Sequence, residues 1–170
     1  MNNNTDSVAR NINLLYKVEY GTIMNTTFKN VTFTSTSTKA KNVGIIGTMV
    51  GGYVHNLKVE NISVMAYEAA GVIGHIGGGE NYITQVHVRN DEGIVMDCLN
   101  KYVGGVVGNI QRDTSETSLS VEVSNCLVEA TVGTKDSQSQ FVGGIVGRGK
   151  NDKEGDYLLI EKNMFRGMIT

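Results

Sequence analysis

The chain has 170 residues, 40% of them hydrophobic, with 21 Gly, neither Pro nor Trp, and a formal net charge of −2. That balance gives no basis for nucleic-acid binding, and no run of Lys or Arg marks an anionic membrane as a partner. No apolar run approaches the ~20 residues a spanning helix requires, and two cysteines are too few for a disulfide framework.

Met1 to Arg10 is polar and lacks the hydrophobic centre of a secretion signal. Residues 1–11 are expected to be a lead or linker, and residues 12–170 a repeat array. Met1 is expected to be a start placed inside a longer chain, because the far end stops mid-pattern at Thr170. After an apolar stretch from Ile12 to Val18, Gly21 opens a box of the form aliphatic, any residue, Asn, then alternating apolar positions: Ile23-Met24-Asn25-Thr26-Thr27-Phe28. It recurs around Asn56, Gln85 and Asn125, and in an offset copy around Asn163. The intervals are 31, 29, 40 and 38 residues, which suits one turn of a solenoid per repeat. In the first three copies a second Asn follows five residues on, as Asn30, Asn61 and Asn90. The length variation falls in polar stretches at 91–101, 111–118, 133–140 and 148–156, which are expected to be loops.

A second box, Gly, β-branched, β-branched, Gly, occurs as Gly44-Ile45-Ile46-Gly47, Gly71-Val72-Ile73-Gly74, Gly105-Val106-Val107-Gly108 and Gly144-Ile145-Val146-Gly147. Many Gly with many Val, Ile and Thr favour strands joined by tight turns. The glycines are expected to allow positive φ and close backbone approach at a bend. The stacked Asn residues would bond one another and tolerate the left-handed conformation of a corner. Strict alternation would turn one middle position of the Gly box outward. One ladder, Ile46/Ile73/Val107/Val146 or Ile45/Val72/Val106/Ile145, is therefore expected outside the core, under a cover.

These boxes resemble the GLUG motif, best matched by Val103-Gly104-Gly105-Val106-Val107-Gly108 and Val142-Gly143-Gly144-Ile145-Val146-Gly147, with Val or Ile where the motif has Leu. The entry Gly21-Thr22-Ile23-Met24-Asn25 is similar to the repeat region of streptococcal IgA1-specific zinc metalloendopeptidases, upstream of their catalytic domain. The resemblance implies an extracellular or cell-wall-linked parent protein. The His-Glu-x-x-His zinc motif of those peptidases does not occur here, so their catalysis does not carry over.

Side chains able to do chemistry fall into no recognisable set. His55 aligns with Thr84, His75 with Thr48 and His87 with Lys58, so the three histidines form no column and lack ligand spacing. The acids Glu80, Asp91, Glu92, Asp97, Asp152, Glu154 and Asp156 are candidates for the carboxylate pair of a sugar-cleaving enzyme, and solvated loop charges on the plainer reading. Tyr53, Tyr67, Tyr82, Tyr102 and Tyr157 are candidates for a sugar-stacking platform, or amphipathic caps at turns. The run Thr34 to Thr38 reads as a surface loop, and Cys98 and Cys126 as small apolar fillers.

The sequence thus predicts an all-β protein, a right-handed parallel β-solenoid of about five coils with variable corner loops. It is expected to be a non-catalytic spacer, presentation or binding module without catalytic, cofactor or metal residues. Its expected partners are flanking domains and a host protein or glycan, with no nucleic acid and no membrane insertion. A carbohydrate-binding adhesin and a polysaccharide-cleaving enzyme are the alternatives.

Overall fold

The computed structural model describes residues 13–35, 37–38, 41–114, 118–133 and 140–170, so the expected lead at 1–11 lies outside the described residues. These contain sixteen strands and no helix. In chain order the rows are β1 (Leu15–Thr34); β2 (Asn42–Val43) and β3 (Ile46–Ala66); β4 (Ala69–Ala70), β5 (Ile73–Arg89) and β6 (Val95–Cys98). There follow β7 (Tyr102–Gly104), β8 (Val107–Ile110), β9 (Leu119–Ser124), β10 (Leu127–Glu129) and β11 (Thr131–Val132). The last row holds β12 (Phe141–Gly143), β13 (Val146–Gly149), β14 (Tyr157–Glu161), β15 (Met164–Phe165) and β16 (Met168–Ile169).

Every pairing is parallel. Twelve strands form a large sheet curled into a half-barrel, and β2, β4, β7 and β12 form a small one. The long strands β1, β3 and β5 lie side by side, and the later rows continue that register in shorter pieces. Thus Ile23, Val54, Ile83, Val123 and Ile160 share one column. Phe28, Val59, Val88, Val128 and Phe165 share another. Stacking like on like makes the core a set of continuous aliphatic ladders, closed to solvent in the middle rows and partly open in the first and last.

The expected Asn column is present. Asn25, Asn56, Gln85 and Asn125 occupy equivalent positions, with φ of 52°, 51°, 55° and 54°. Asn56 donates its side-chain amide to Asn25 Oδ1 at 2.8 Å. The last row corrects the expected offset copy. Its left-handed corner is Lys162 (φ 54°), and Asn163 instead accepts from the Cys126 amide at 2.8 Å and donates to the Val123 carbonyl at 2.7 Å. Asn30 and Asn61 are also left-handed, whereas Asn90 clamps Ile62, accepting from its N–H and donating to its carbonyl.

The Gly boxes differ from expectation in two ways. First, none of their glycines has a positive φ; they sit where the chain folds back on a neighbouring backbone. A Cβ on Gly108 would lie 2.7 Å from the carbonyl oxygens of Ala70 and Gly74, and one on Gly74 would lie 2.7 Å from the Val43 nitrogen. Second, no ladder lies outside the core: Ile45, Ile46, Val72, Ile73, Val106 and Val107 are all fully buried in one cluster, with Ile145 and Val146 packed against it. Each box straddles a bend between the small and the large sheet, and the bend resets the alternation. Glycines line the tight inside of that crook, and both β-branched side chains leave from its outside into the core.

Of the expected loops, 148–156 is free of strand from 150 onward, Arg148 and Gly149 belonging to β13, and the described parts of 111–118 are free of strand. Most of 133–140 lies outside the described residues. The segment 91–101 is only partly a loop, because Val95–Cys98 forms β6 between β3 and β11. The run from Thr34 to Thr38 begins in β1, and Ser35 is buried. Cys98 and Cys126 are both buried and are not joined in a disulfide. Burial pushes the Cys126 thiol up to about 11.

Candidate functional site

Two of the concavities among the described residues are set against the recurring columns. One follows the crook. The position after the second glycine of each box points away from the core, which stacks Lys17, Thr48, His75, Asn109 and Arg148 in one column. Beside it stand Asn42 and Tyr102 of the small sheet and, just before its strands, Glu68 and Lys101; a polar groove of about 270 Å³ is lined by Asn42 and Glu68 on this side and by His75, Asn109 and Asp113 on the other. Most of its groups are engaged with one another, while Asn109 Oδ1 and Arg112 Nε are buried without a hydrogen-bond partner. His75 contacts Asp113 Oδ1 through Nε2 at 2.8 Å and Asn109 Nδ2 through Nδ1 at 3.1 Å. Lys101 donates to Glu68 at 2.6 Å, with Lys41 3.6 Å from the same carboxylate. Arg148 bonds the Tyr102 hydroxyl and Gln111, and its guanidinium lies 4.9 Å from the Tyr102 ring centre.

At the rim of this groove Arg112 pairs with Asp156, and both side chains are more than nine-tenths buried. Burial alone would raise the Asp156 carboxyl, but the guanidinium and the N–H groups of Asp152 and Lys153 hold it below the usual carboxylate range. This groove stitches adjacent rows together, and its charges are spent on one another.

The second concavity, about 310 Å³, lies over the large sheet and is lined by Tyr20, Gly52, Tyr53, Gly79, Glu80 and Ser118. Tyr53 and Tyr82 are partners in the register of β3 and β5, and their rings stack at 5.0 Å and 9°. Glu122 stands next to Tyr82 in the following row. The Glu80 carboxylate, with smaller contributions from burial and Tyr53, raises the Tyr82 phenol.

The structure therefore brings together only part of what the sequence suggested. Of the five tyrosines, Tyr53 and Tyr82 meet; Tyr102 instead packs against Phe141 and Arg148 in the small sheet. Of the acids, Glu80 borders the aromatic cleft, Asp97 is buried in β6, Asp91 and Glu92 sit in a turn, and Asp152, Glu154 and Asp156 share one segment. The histidines stand opposite Thr84, Thr48 and Lys58, as their spacing implied. Among the described residues no three His, Cys, Asp or Glu side chains are placed to hold one metal ion. Sequence reasoning missed Tyr20. It aligns with Gly51, and an aromatic residue at a left-handed position otherwise held by glycine is the signal that would have found it.

No protein-family model, curated protein or solved structure matches this chain.

Proposed function

We propose that this chain is a right-handed parallel β-solenoid of about five coils, a non-catalytic spacer or presentation module of a larger bacterial surface or secreted protein. The observation that carries the reading is the Asn column. Equivalent corner residues recur in register from row to row, each in the same left-handed conformation. A stack built that way is stabilised mainly between neighbouring rows, so it resists bending and holds whatever flanks it at a fixed separation. The surface setting rests on the resemblance of the Gly boxes to GLUG repeats. Its partners are then the flanking domains of the parent and a host protein or glycan, without nucleic acid and without membrane insertion. A polysaccharide-cleaving reading has less support, because the acids singled out in the sequence are spread over four segments: Glu80 in β5, Asp91 and Glu92 in a turn, Asp97 in β6, and Asp152, Glu154 and Asp156 together.

The test places one or two copies of the chain between a cell-wall anchor and a reporter epitope on a bacterial surface. Five rows about 4.8 Å apart should raise the epitope by about 24 Å per copy. An epitope height that does not change with copy number would overturn the spacer reading.

A further inference from the structure

We infer that the cleft between Tyr20 and Tyr53 is a binding site for a neutral saccharide. The inference deepens the module reading by assigning it a ligand class and a place, and it rests on the stacked rows that bring these residues together.

Four features converge at this spot. The backbone is irregular there: Tyr20 is held at φ 51°, and Gly51, Gly52 and Gly79 take the positive φ of 74°, 130° and 74° that glycine allows. Left-handed backbone is uncommon for a bulky residue and clusters where surrounding structure holds it for a purpose. The register of β3 against β5 slips between Met49 and Gly52, an irregularity of the kind found beside functional sites. The irregularity is braced from within. Asn81, 1% exposed, accepts from the Gly51 N–H at 2.9 Å and donates to the carbonyls of Gly78 and Gly79, both at 2.9 Å. Finally, the aromatic groups are exposed and positioned, with Tyr20 at 78% and Tyr53 at 51%.

The geometry says which ligand fits. Glycines 52 and 79 contribute backbone to the lining, and the Tyr20 ring lies over Gly51 so closely that a Cβ there would be 2.7 Å from it. Tyr53 forms a wall, and Tyr82 stacks behind it and fixes its ring. A sugar presents a flat array of C–H groups to a ring face and hydroxyls at its edge, each of which both donates and accepts. The cleft offers that combination: tyrosine rings with phenol groups, the Ser118 side chain and the Glu80 carboxylate. With Glu80 in the lining and Glu122 beside Tyr82, an acidic sugar or a phosphate is disfavoured. A quaternary ammonium wants several ring faces turned towards it, whereas Tyr53 and Tyr82 turn theirs to each other. The volume is at the lower end of the ~300–1,000 Å³ range of small-molecule sites, which matches a short saccharide segment.

The experiment probes an array of neutral and sialylated oligosaccharides with the 170-residue chain, then titrates the best neutral binder by calorimetry. Binding should be confined to neutral sugars. Tyr20→Ala and Tyr53→Ala should each weaken it roughly tenfold or more, with the melting temperature retained. Tyr82→Leu should weaken it less, and Tyr67→Ala should leave it unchanged. An array without neutral binders, affinity that survives Tyr20→Ala and Tyr53→Ala, or a tighter fit for tetramethylammonium at the same residues would overturn the assignment. Small-angle scattering on the same samples separates the two levels. A blank array from a particle of the stacked dimensions removes only the saccharide site, whereas a particle of other dimensions removes the stack beneath it.

Discussion

Two kinds of corner recur down the rows, and they are built on opposite principles. At the Asn corner the backbone adopts φ near +50°, a region that costs L-residues about 1–2 kcal/mol and that Asn tolerates best. At the Gly crook φ stays in the ordinary range, and glycine is required because a Cβ would enter a neighbouring backbone. One corner selects for conformation and the other for volume. A recurrent glycine therefore does not by itself mark a left-handed residue, and the left-handed residues here are mostly not glycine.

The difference can be broken experimentally. Gly108→Ala drives a methyl into the Ala70 and Gly74 carbonyls, which belong to paired backbone and cannot retreat. It should cost about 3 kcal/mol or more, read as a lower denaturation midpoint. Gly108→Asn should be worse still, although Asn is the residue of the other corner. Asn56→Ala should cost about 1–2 kcal/mol by placing an ordinary residue at φ 51° and removing the bond to Asn25. Asn56→Gly should cost only a few tenths of a kcal/mol, because glycine accepts the φ. A large loss in Asn56→Gly would show that the side-chain ladder, not the conformation, holds that corner.

Electrostatics outside the corners gives smaller effects. The Asp156 carboxyl titrates below its unfolded value, so the contribution of its pair with Arg112 is complete above about pH 4 and is lost as pH falls through the native pKa. Asp156→Asn should therefore lower stability at pH 7 and flatten the acid limb of melting temperature against pH. The smallest effect belongs to the exposed column Lys29, Glu60, Arg89, Glu129 and Arg166, which alternates in sign through all five rows. Lys29 lies 2.6 Å from Glu60, and Arg166 lies 3.8 Å from Glu129. Glu60→Lys should lower stability only slightly, with most of the loss recovered in high salt. Because both ends of the column are basic, a second copy stacked end to end would set Arg166 on Lys29.

Much of this architecture is legible in the sequence, because stacking turns sequence interval into spatial column. The intervals between Asn25, Asn56, Gln85 and Asn125 suffice to place them, and to place the histidines opposite their partners. The failures have a common cause. Pattern reading assumes an unbroken strand, and it misplaces whatever follows a local break in that strand. The bend inside each Gly box restores an inward direction to both β-branched residues. In the last row the left-handed residue is Lys162, because the corner demands a backbone angle and not an amide. β6 was concealed by Asp97, which is buried and accepts a bond from the Cys98 N–H at 2.7 Å. The aromatic cleft depends on a register slip that no interval in the sequence encodes.

Stacking in register is the claim on which the rest stands, and a distance along one column tests it. Thr27, Lys58, His87, Leu127 and Met164 succeed one another row by row, and Thr27 and Met164 both face solvent. Spin labels at Thr27→Cys and Met164→Cys, with Cys98 and Cys126 replaced by Ala, measure the span of four steps. The account predicts a narrow distribution centred at about 19 Å between the labelled backbones. A broad distribution, or one centred beyond about 30 Å, would contradict it.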